Sequence, residues 1–198
     1  MLCEGFFDGL CEPVNPGGVA TYGFAIVCDG GVVYRGYGVI GAGMFGDDVT
    51  NNVAEYTALI KLLEKALELG IDEFVVKGDS QLVIRQLSGV YRVRSSRIVQ
   101  LYTKAKELER MFRRIEYIWI PRKLNEEADN LSRKAYREFV ERNIEKFTEF
   151  YRRWLATEKQ IEFLKKLGIA IEYPISRNEA RLIIEKALKK EQKIERMK

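Results

Sequence analysis

No histidine occurs anywhere in the 198 residues, and cysteine is limited to Cys3, Cys11 and Cys28. Without histidine, every Ser–His or Cys–His catalytic pairing is excluded, and with it a large class of hydrolases. The same absence, with no CxxC pair, leaves no usual donor set for a structural zinc site. An odd cysteine count gives no basis for a secreted disulfide framework. One Cys–Cys bridge stays open but is not expected, because the default address of the chain is the cytoplasm. That address rests on two further absences. No apolar stretch approaches the ~20 residues needed to span a bilayer, and no basic segment followed by an apolar run opens the chain. A membrane partner is therefore not expected. The sequence also carries no internal repeat and no low-complexity linker.

What is present is an ordinary globular composition, 46% hydrophobic and 31% charged, in a chain long enough for one full domain with an appendage. The net charge of +4 is unevenly spread. Residues 92–114 hold eight basic side chains, among them Arg92, Arg94 and Arg97, against Glu107 and Glu109. The last 22 residues hold eight basic and four acidic ones. Two basic segments on a nearly neutral body suggest a polyanionic partner. The bland alternative is a set of solvated helix faces laced with ion pairs.

The period of the hydrophobic pattern changes along the chain. "LCEGFFDG", "ATYGFAIVCDG" and "GVVYRGYGVIGAG" alternate like strands and are joined by Pro, Gly and Asp-Gly turn signals, which predicts an antiparallel meander. "TNNVAEYTALIKLLEKALELG" then places Ala54, Ala58, Leu62, Ala66 and Leu69 on one helical stripe, with Gly70 as its stop. A short strand "EFVVKG", a short helix from Gln81, an amphipathic helix over 96–113 and a strand "IEYIWI" follow. A final helix after Asn125 is read to run as far as Trp154. This order implies an α/β fold with a mixed sheet over residues 1–150, its later strands parallel to the first. Beyond it, 157–198 reads as a helical C-terminal extension too short to hold a core alone, with Thr157 and Ser176 as N-caps of capping boxes.

Four acidic residues fall where solvated charges are not expected. Asp8 lies inside the first strand, although strands are depleted in Asp. Glu55 lies in the first turns of a helix, Asp79 follows the strand "EFVVKG", and Asp129 sits in the first turn of the late helix. Each alone is open to a plain reading, Asp129 as an acid favoured by the helix dipole and Glu55 as a surface residue. Together, at the carboxyl ends of parallel strands and at helix starts, they would share one cleft. Four such carboxylates repel one another unless cations relieve them, and an all-oxygen donor set points to Mg²⁺ or Mn²⁺. Two such ions can drive an in-line phosphoryl displacement without any histidine.

The blocks "FFDG…NPGG…YGFAI", "TNNVAEYTAL", "KGDSQLVI" and "WIPRKLNEEADNLSRKA" resemble, in order and approximate spacing, the four motif blocks of type 1 ribonuclease H across residues 1–142. The resemblance implies the ribonuclease H-like fold, a five-stranded mixed sheet flanked by helices. It implies metal-binding acids at Asp8, Glu55, Asp79 and Asp129, holding two Mg²⁺ or Mn²⁺. The implied activity is endonucleolytic hydrolysis of the RNA strand of an RNA–DNA hybrid, leaving 5′-phosphate and 3′-hydroxyl ends. It also places Asn15, Asn52 and Gln81 near the minor groove, where amides suit 2′-hydroxyls. Thr50 and Asn51 are candidates for phosphate or sugar contact, although helix capping explains Asn51 and Asn52 as well. Two departures stand out. The mobile histidine of many members is absent from "PRKLNEE", where Arg122 or Lys123 takes its neighbourhood and can only neutralise charge. The Trp-containing basic protrusion is also missing, so that Arg92, Arg94 and Arg97 would grip phosphates in another geometry. Rival readings are a non-catalytic hybrid- or duplex-binding module of the same fold, a nuclease acting on double-stranded RNA or DNA, and a plain structural protein. Phosphate contact, dimerisation and stabilisation are all open for the C-terminal helices.

Overall fold

The computed structural model describes residues 2–171 and 174–195, with the side chains of 190–195 left aside. Three long strands, β1 (Cys3–Glu12), β2 (Val19–Cys28) and β3 (Gly31–Ala42), form the expected antiparallel meander. Helix α1 (Asn51–Glu68) crosses over to β4 (Glu73–Gly78), which lies parallel beside β1. Helices α2 (Gln81–Leu87) and α3 (Ser96–Glu109) then lead to β5 (Arg114–Trp119), parallel to β4. The sheet order is β3-β2-β1-β4-β5. Strand β1 is thus central, paired with β2 along its length and with β4 from Cys3 to Phe7.

Alternation along β1 decides which helix each residue meets. A Cβ on Gly9 would strike the backbone of Ala54 and Glu55 in α1. Gly23 pairs with Asp8 on the other face, and its Cβ would strike helix α4 (Glu126–Arg142) at Ser132 and Ala128. The two helices therefore pack on opposite faces of the sheet, each seated over a glycine. Ala54, Ala58, Leu62 and Ala66 of the α1 stripe are fully buried, but Leu69 is exposed as the C-cap, and Gly70 adopts φ +72° behind it. Tyr56, buried on the same helix, donates its hydroxyl to Gln86 Oε1 at 2.7 Å and fixes α1 against α2.

Three sequence readings need correction. The late helix does not continue to Trp154: it stops at Asn143, whose side-chain amide donates to the Phe139 carbonyl at 2.8 Å, and a separate helix α5 (Ile144–Tyr151) follows. A side chain that bonds its own backbone competes with helical continuation, and that competition is invisible to hydrophobic period. Helix α3 ends at Glu109 rather than 113, because Arg113 and Arg114 donate their N–H groups to the Asp72 carbonyl and lead into β5, which begins at Arg114. Cys3 and Cys28 form a disulfide. They are cross-strand partners in the β1–β2 register, a proximity that counting cysteines does not reveal; Cys11 stays free and buried.

Helix α5 turns under the sheet edge. Phe147, Tyr151 and Leu155 pack with Leu10, Val19, Met44 and Val140 in a second core cluster, and the Tyr151 hydroxyl donates to the Gly17 carbonyl at 3.0 Å. Two further helices, α6 (Glu158–Lys166) and α7 (Arg177–Glu195), complete the chain. Both expected caps are present: Thr157 and Gln160 close a capping box, and Ser176 Oγ accepts the Glu179 N–H at 3.1 Å. Leu164, Ile175 and Ala180 form only a small buried cluster between the two helices. Residues 172 and 173 of the expected "IAIEYP" link, and basic residues 196 and 198, lie outside the described residues. Among the described residues no helix is long and apolar enough to cross a membrane.

Candidate active site

The four acidic residues come together through four separate elements. Asp8 projects from the middle of β1 and is 3% exposed. Glu55, in the second turn of α1, is 6% exposed, where the sequence left a surface position open. Asp79 directly follows β4 and is half-buried, and Asp129 occupies the first turn of α4. Their mutual electrostatic influence shows the proximity. Burial pushes the Asp8 carboxyl up to about 7, and the charges of Asp79 and Asp129 push it the same way. Glu55 is also held well above the usual carboxylate range, first by burial and then by the charges of Asp8 and Asp79.

Each acid is held by particular donors, and these explain the spacing. The Ser132 hydroxyl, one turn beyond Asp129, bonds Asp8 Oδ2 and opposes its rise. Ser132 is itself fully buried, and its carbonyl accepts the Thr21 hydroxyl at 2.9 Å. Asn125, 1% exposed at the start of α4, donates to the Phe7 carbonyl at 2.9 Å and to Asp79 Oδ1 at 2.7 Å. It thereby ties β1, β4 and α4 at one point. Asp129 pairs through Oδ1 with Arg122 and through Oδ2 with Arg133 Nε, the latter at 3.1 Å. The positive charge of Arg122 also lowers the pKa values of Asp8 and Glu55.

Among the described residues no three acidic or cysteine side chains converge closely enough to chelate a single ion as they stand. Asp8, Asp79 and Asp129 are turned toward Ser132, Asn125, Arg122 and Arg133 instead. Two oxygens here are not satisfied in this way. Glu55 Oε2 is buried with no hydrogen-bond partner, and Asn125 Oδ1 beside Asp79 is likewise orphaned. A buried carboxylate oxygen without a donor is costly, and a hard cation is the partner that removes the cost. The residues present therefore fit a divalent ion.

The other candidates fall along the adjoining edge. Asn15 Oδ1 accepts the Asn51 N–H at 2.9 Å, and Thr50 caps α1 through the Val53 N–H at 3.2 Å. The cap is thus Thr50, and Asn52 is an exposed residue of the first turn. Gln81 is exposed at the start of α2, two residues past Asp79. Arg97, in the first turn of α3, pairs with Asp48 in the loop before α1 and so sets these helix starts side by side. Arg92 and Arg94 are exposed in the loop between α2 and α3. Sequence reasoning missed Asn125, Ser132 and Arg133 as members of the site. A signal existed for the last two, since they follow Asp129 at i+3 and i+4 on one helix face. Asn125 reads as an ordinary helix-start residue until Phe7 and Asp79 are brought beside it.

Comparisons with known proteins agree with this fold. The family described as "Reverse transcriptase-like" matches residues 7–135, well over half of the chain. Ribonuclease HI of Halobacterium salinarum is 38% identical over 130 residues, covering 66% of this chain and 62% of that protein. The bifunctional protein Rv2228c of Mycobacterium tuberculosis is 46% identical over 86 residues, 43% of this chain, but the match spans only 24% of that longer protein. Among solved structures, RNase H1 of Halobacterium salinarum superposes with a TM-score of 0.64 at 37% identity, covering 70% of this chain and 99% of that one. LC11-RNase H1, solved in complex with an RNA/DNA hybrid, superposes with a TM-score of 0.62 at 30% identity, covering 70% and 99%. Four acids on four elements, the sheet order and the family match over residues 7–135 agree, and the chain belongs to the type 1 ribonuclease H family.

Proposed function

We propose that the chain is a metal-dependent endoribonuclease that cuts the RNA strand of RNA–DNA hybrids, leaving 5′-phosphate and 3′-hydroxyl ends. Asp8, Glu55, Asp79 and Asp129 would hold two Mg²⁺ or Mn²⁺ ions. The observation that carries the reading is Glu55, a buried carboxylate with one oxygen unpaired, placed among three other acids. When bound, such ions supply Lewis acidity for water activation and for the leaving oxygen in an in-line displacement at phosphorus.

The chain's own groups do the positioning. Pairing with Gly23 of β2 fixes Asp8, one residue past the β4 ladder, and the Ser132 hydroxyl selects its orientation. Asn125 holds Asp79 in the carboxylate-accepting direction. Arg122, in a short 3₁₀ turn after Pro121, pairs with Asp129, and its charge partly offsets that of the cluster. Its guanidinium keeps its proton near neutral pH, so it acts by charge and not as a general acid. Asn15, Asn52 and Gln81 present amides that both donate and accept to 2′-hydroxyls, which distinguishes an RNA strand from DNA.

The test is cleavage of an end-labelled RNA–DNA hybrid with Mg²⁺ or Mn²⁺, comparing the parent with Asp79→Asn. The parent cuts only RNA, and EDTA or the single substitution abolishes cutting while hybrid binding persists. Double-stranded RNA and duplex DNA serve as parallel substrates. Equal cutting of either one overturns the hybrid assignment, and binding without any cutting replaces it with a binding module.

A further inference from the structure

Both ladders that hold β4 stop at Gly78, which pairs with Phe7 of β1 on one side and with Trp119 of β5 on the other. Gly78 is closely packed, since a Cβ there would stand 2.5 Å from the Phe7 ring. Asp79 is the next residue, and the chain must turn there to enter α2. The end of β5 follows that turn with two bonds. The Ile120 N–H donates to the Gly78 carbonyl at 3.0 Å, and the Trp119 indole N–H donates to the Asp79 carbonyl at 3.1 Å. Trp119 is 44% exposed, so burial of its ring does not account for a tryptophan at this strand end. Its one polar atom, which can only donate, is turned inward to a residue of the acidic cluster.

Asp79 is thereby held at two points. Asn125 donates to its Oδ1 at 2.7 Å from the start of α4, and Trp119 donates to its carbonyl from the end of β5. The first bond sets the direction of the carboxylate, and the second sets the peptide from which its Cα–Cβ bond springs. Helix α2 does not depend on the indole: Val83, Ile84 and Leu87 are buried, and Gln86 accepts the Tyr56 hydroxyl. Loss of the indole bond therefore leaves its slack at the junction of Asp79 and Ser80. A metal ligand has to be held within about 0.5 Å of its productive place, and the groups behind the ligands set that tolerance. We propose that Trp119 is a positioning residue for Asp79, acting through its indole N–H on the backbone and not through contact with substrate. This inference rests on the metal reading of the four acids.

The test is calorimetric titration of Mn²⁺ into the full-length protein without nucleic acid, with hybrid-cutting kinetics alongside. The proteins are the parent, Trp119→Phe, Trp154→Phe, and one carrying the isosteric benzothienyl analogue at position 119, in which sulfur replaces the indole N–H. Trp119→Phe and the analogue both weaken Mn²⁺ binding and lower kcat by about threefold to tenfold, with KM for the hybrid unchanged. Trp154→Phe, at the other of the two tryptophans, leaves both at the parent values. It also leaves Trp119 as the sole indole, so that its emission follows Mn²⁺ with the calorimetric midpoint, a readout that needs no change at position 119. Parent behaviour in the analogue overturns the proposal, because the N–H then does nothing for the site. A rise in KM with kcat kept also overturns it and assigns the ring to hybrid contact. Emission from Trp119 that is indifferent to bound Mn²⁺ overturns it as well. A parent that binds no Mn²⁺ and cuts no hybrid overturns the metal reading itself, a result distinct from these.

Discussion

Burial acts on Asp8 and Glu55 in the direction opposite to the one a metal site needs. Without metal both carboxyls are held above their ordinary range, Asp8 at about 7. A folded pKa raised above the unfolded one means that the native state binds more protons between those values. The associated stability is full below the unfolded pKa and is lost as pH rises through the folded one. Thermal melts in EDTA should therefore show the Tm of the parent falling between about pH 4 and pH 7. Asp8→Asn should flatten that slope, and Mn²⁺ should raise the parent's Tm most at the alkaline end. Asn125 makes a second prediction at this scale. Replacing it by alanine leaves the Phe7 carbonyl and Asp79 without their donor in a buried place. A loss of about 2–3 kcal/mol by denaturant melts is expected, with cutting reduced further than that loss of folded protein explains.

At the scale of elements, the site depends on how closely two helices approach one sheet. Gly23 lets α4 lie on β2: a Cβ there would stand 2.3 Å from the Ser132 nitrogen and 2.5 Å from the Ala128 oxygen, both backbone atoms. Gly23→Ala must push α4 outward, carrying Ser132 and Asp129 away from Asp8. Hybrid cleavage should fall by at least tenfold, with Tm lowered by several degrees. Gly31→Ala, which meets only the Cys28 carbonyl at 3.8 Å, should leave both near the parent values. The elements themselves were legible because period-2 and period-3.6 patterns, Gly70 and the Thr157 and Ser176 caps are local signals. The four acids were legible because Asp8 sits in a strand and the motif blocks keep their order. What stayed hidden was non-local or competitive: the Cys3–Cys28 register, the burial of Glu55, the helix break at Asn143, and Asn125, whose role exists only once β1, β4 and α4 meet.

For the whole molecule, an acidic cluster facing a polyanionic substrate requires positive charge nearby that the fold does not consume. Much of the basic segment 92–114 is consumed, as the bland reading of solvated faces anticipates. Arg97 pairs with Asp48, Lys104 with Glu64, Lys106 with Glu109 and Arg113 with Glu73. Among the described residues, Arg92 and Arg94 form no ion pair, and both are exposed on the loop that leads to Arg97. Arg110 and Arg114 are also exposed and outside any ion pair among the described residues, but Arg92 and Arg94 lie together on one loop and are the cations to test for holding phosphate. Measured against salt concentration, hybrid affinity should fall log-linearly, and the double variant Arg92→Ala/Arg94→Ala should lower the slope by about one to two. Its kcat at saturating hybrid should stay at the parent value, because neither side chain touches the acids. Arg97→Ala should change the slope less, since Asp48 already neutralises that charge. Should all three substitutions leave the slope unchanged, the substrate would approach from another side, and the remaining basic stretch, the C-terminal helix α7, would become the surface to test.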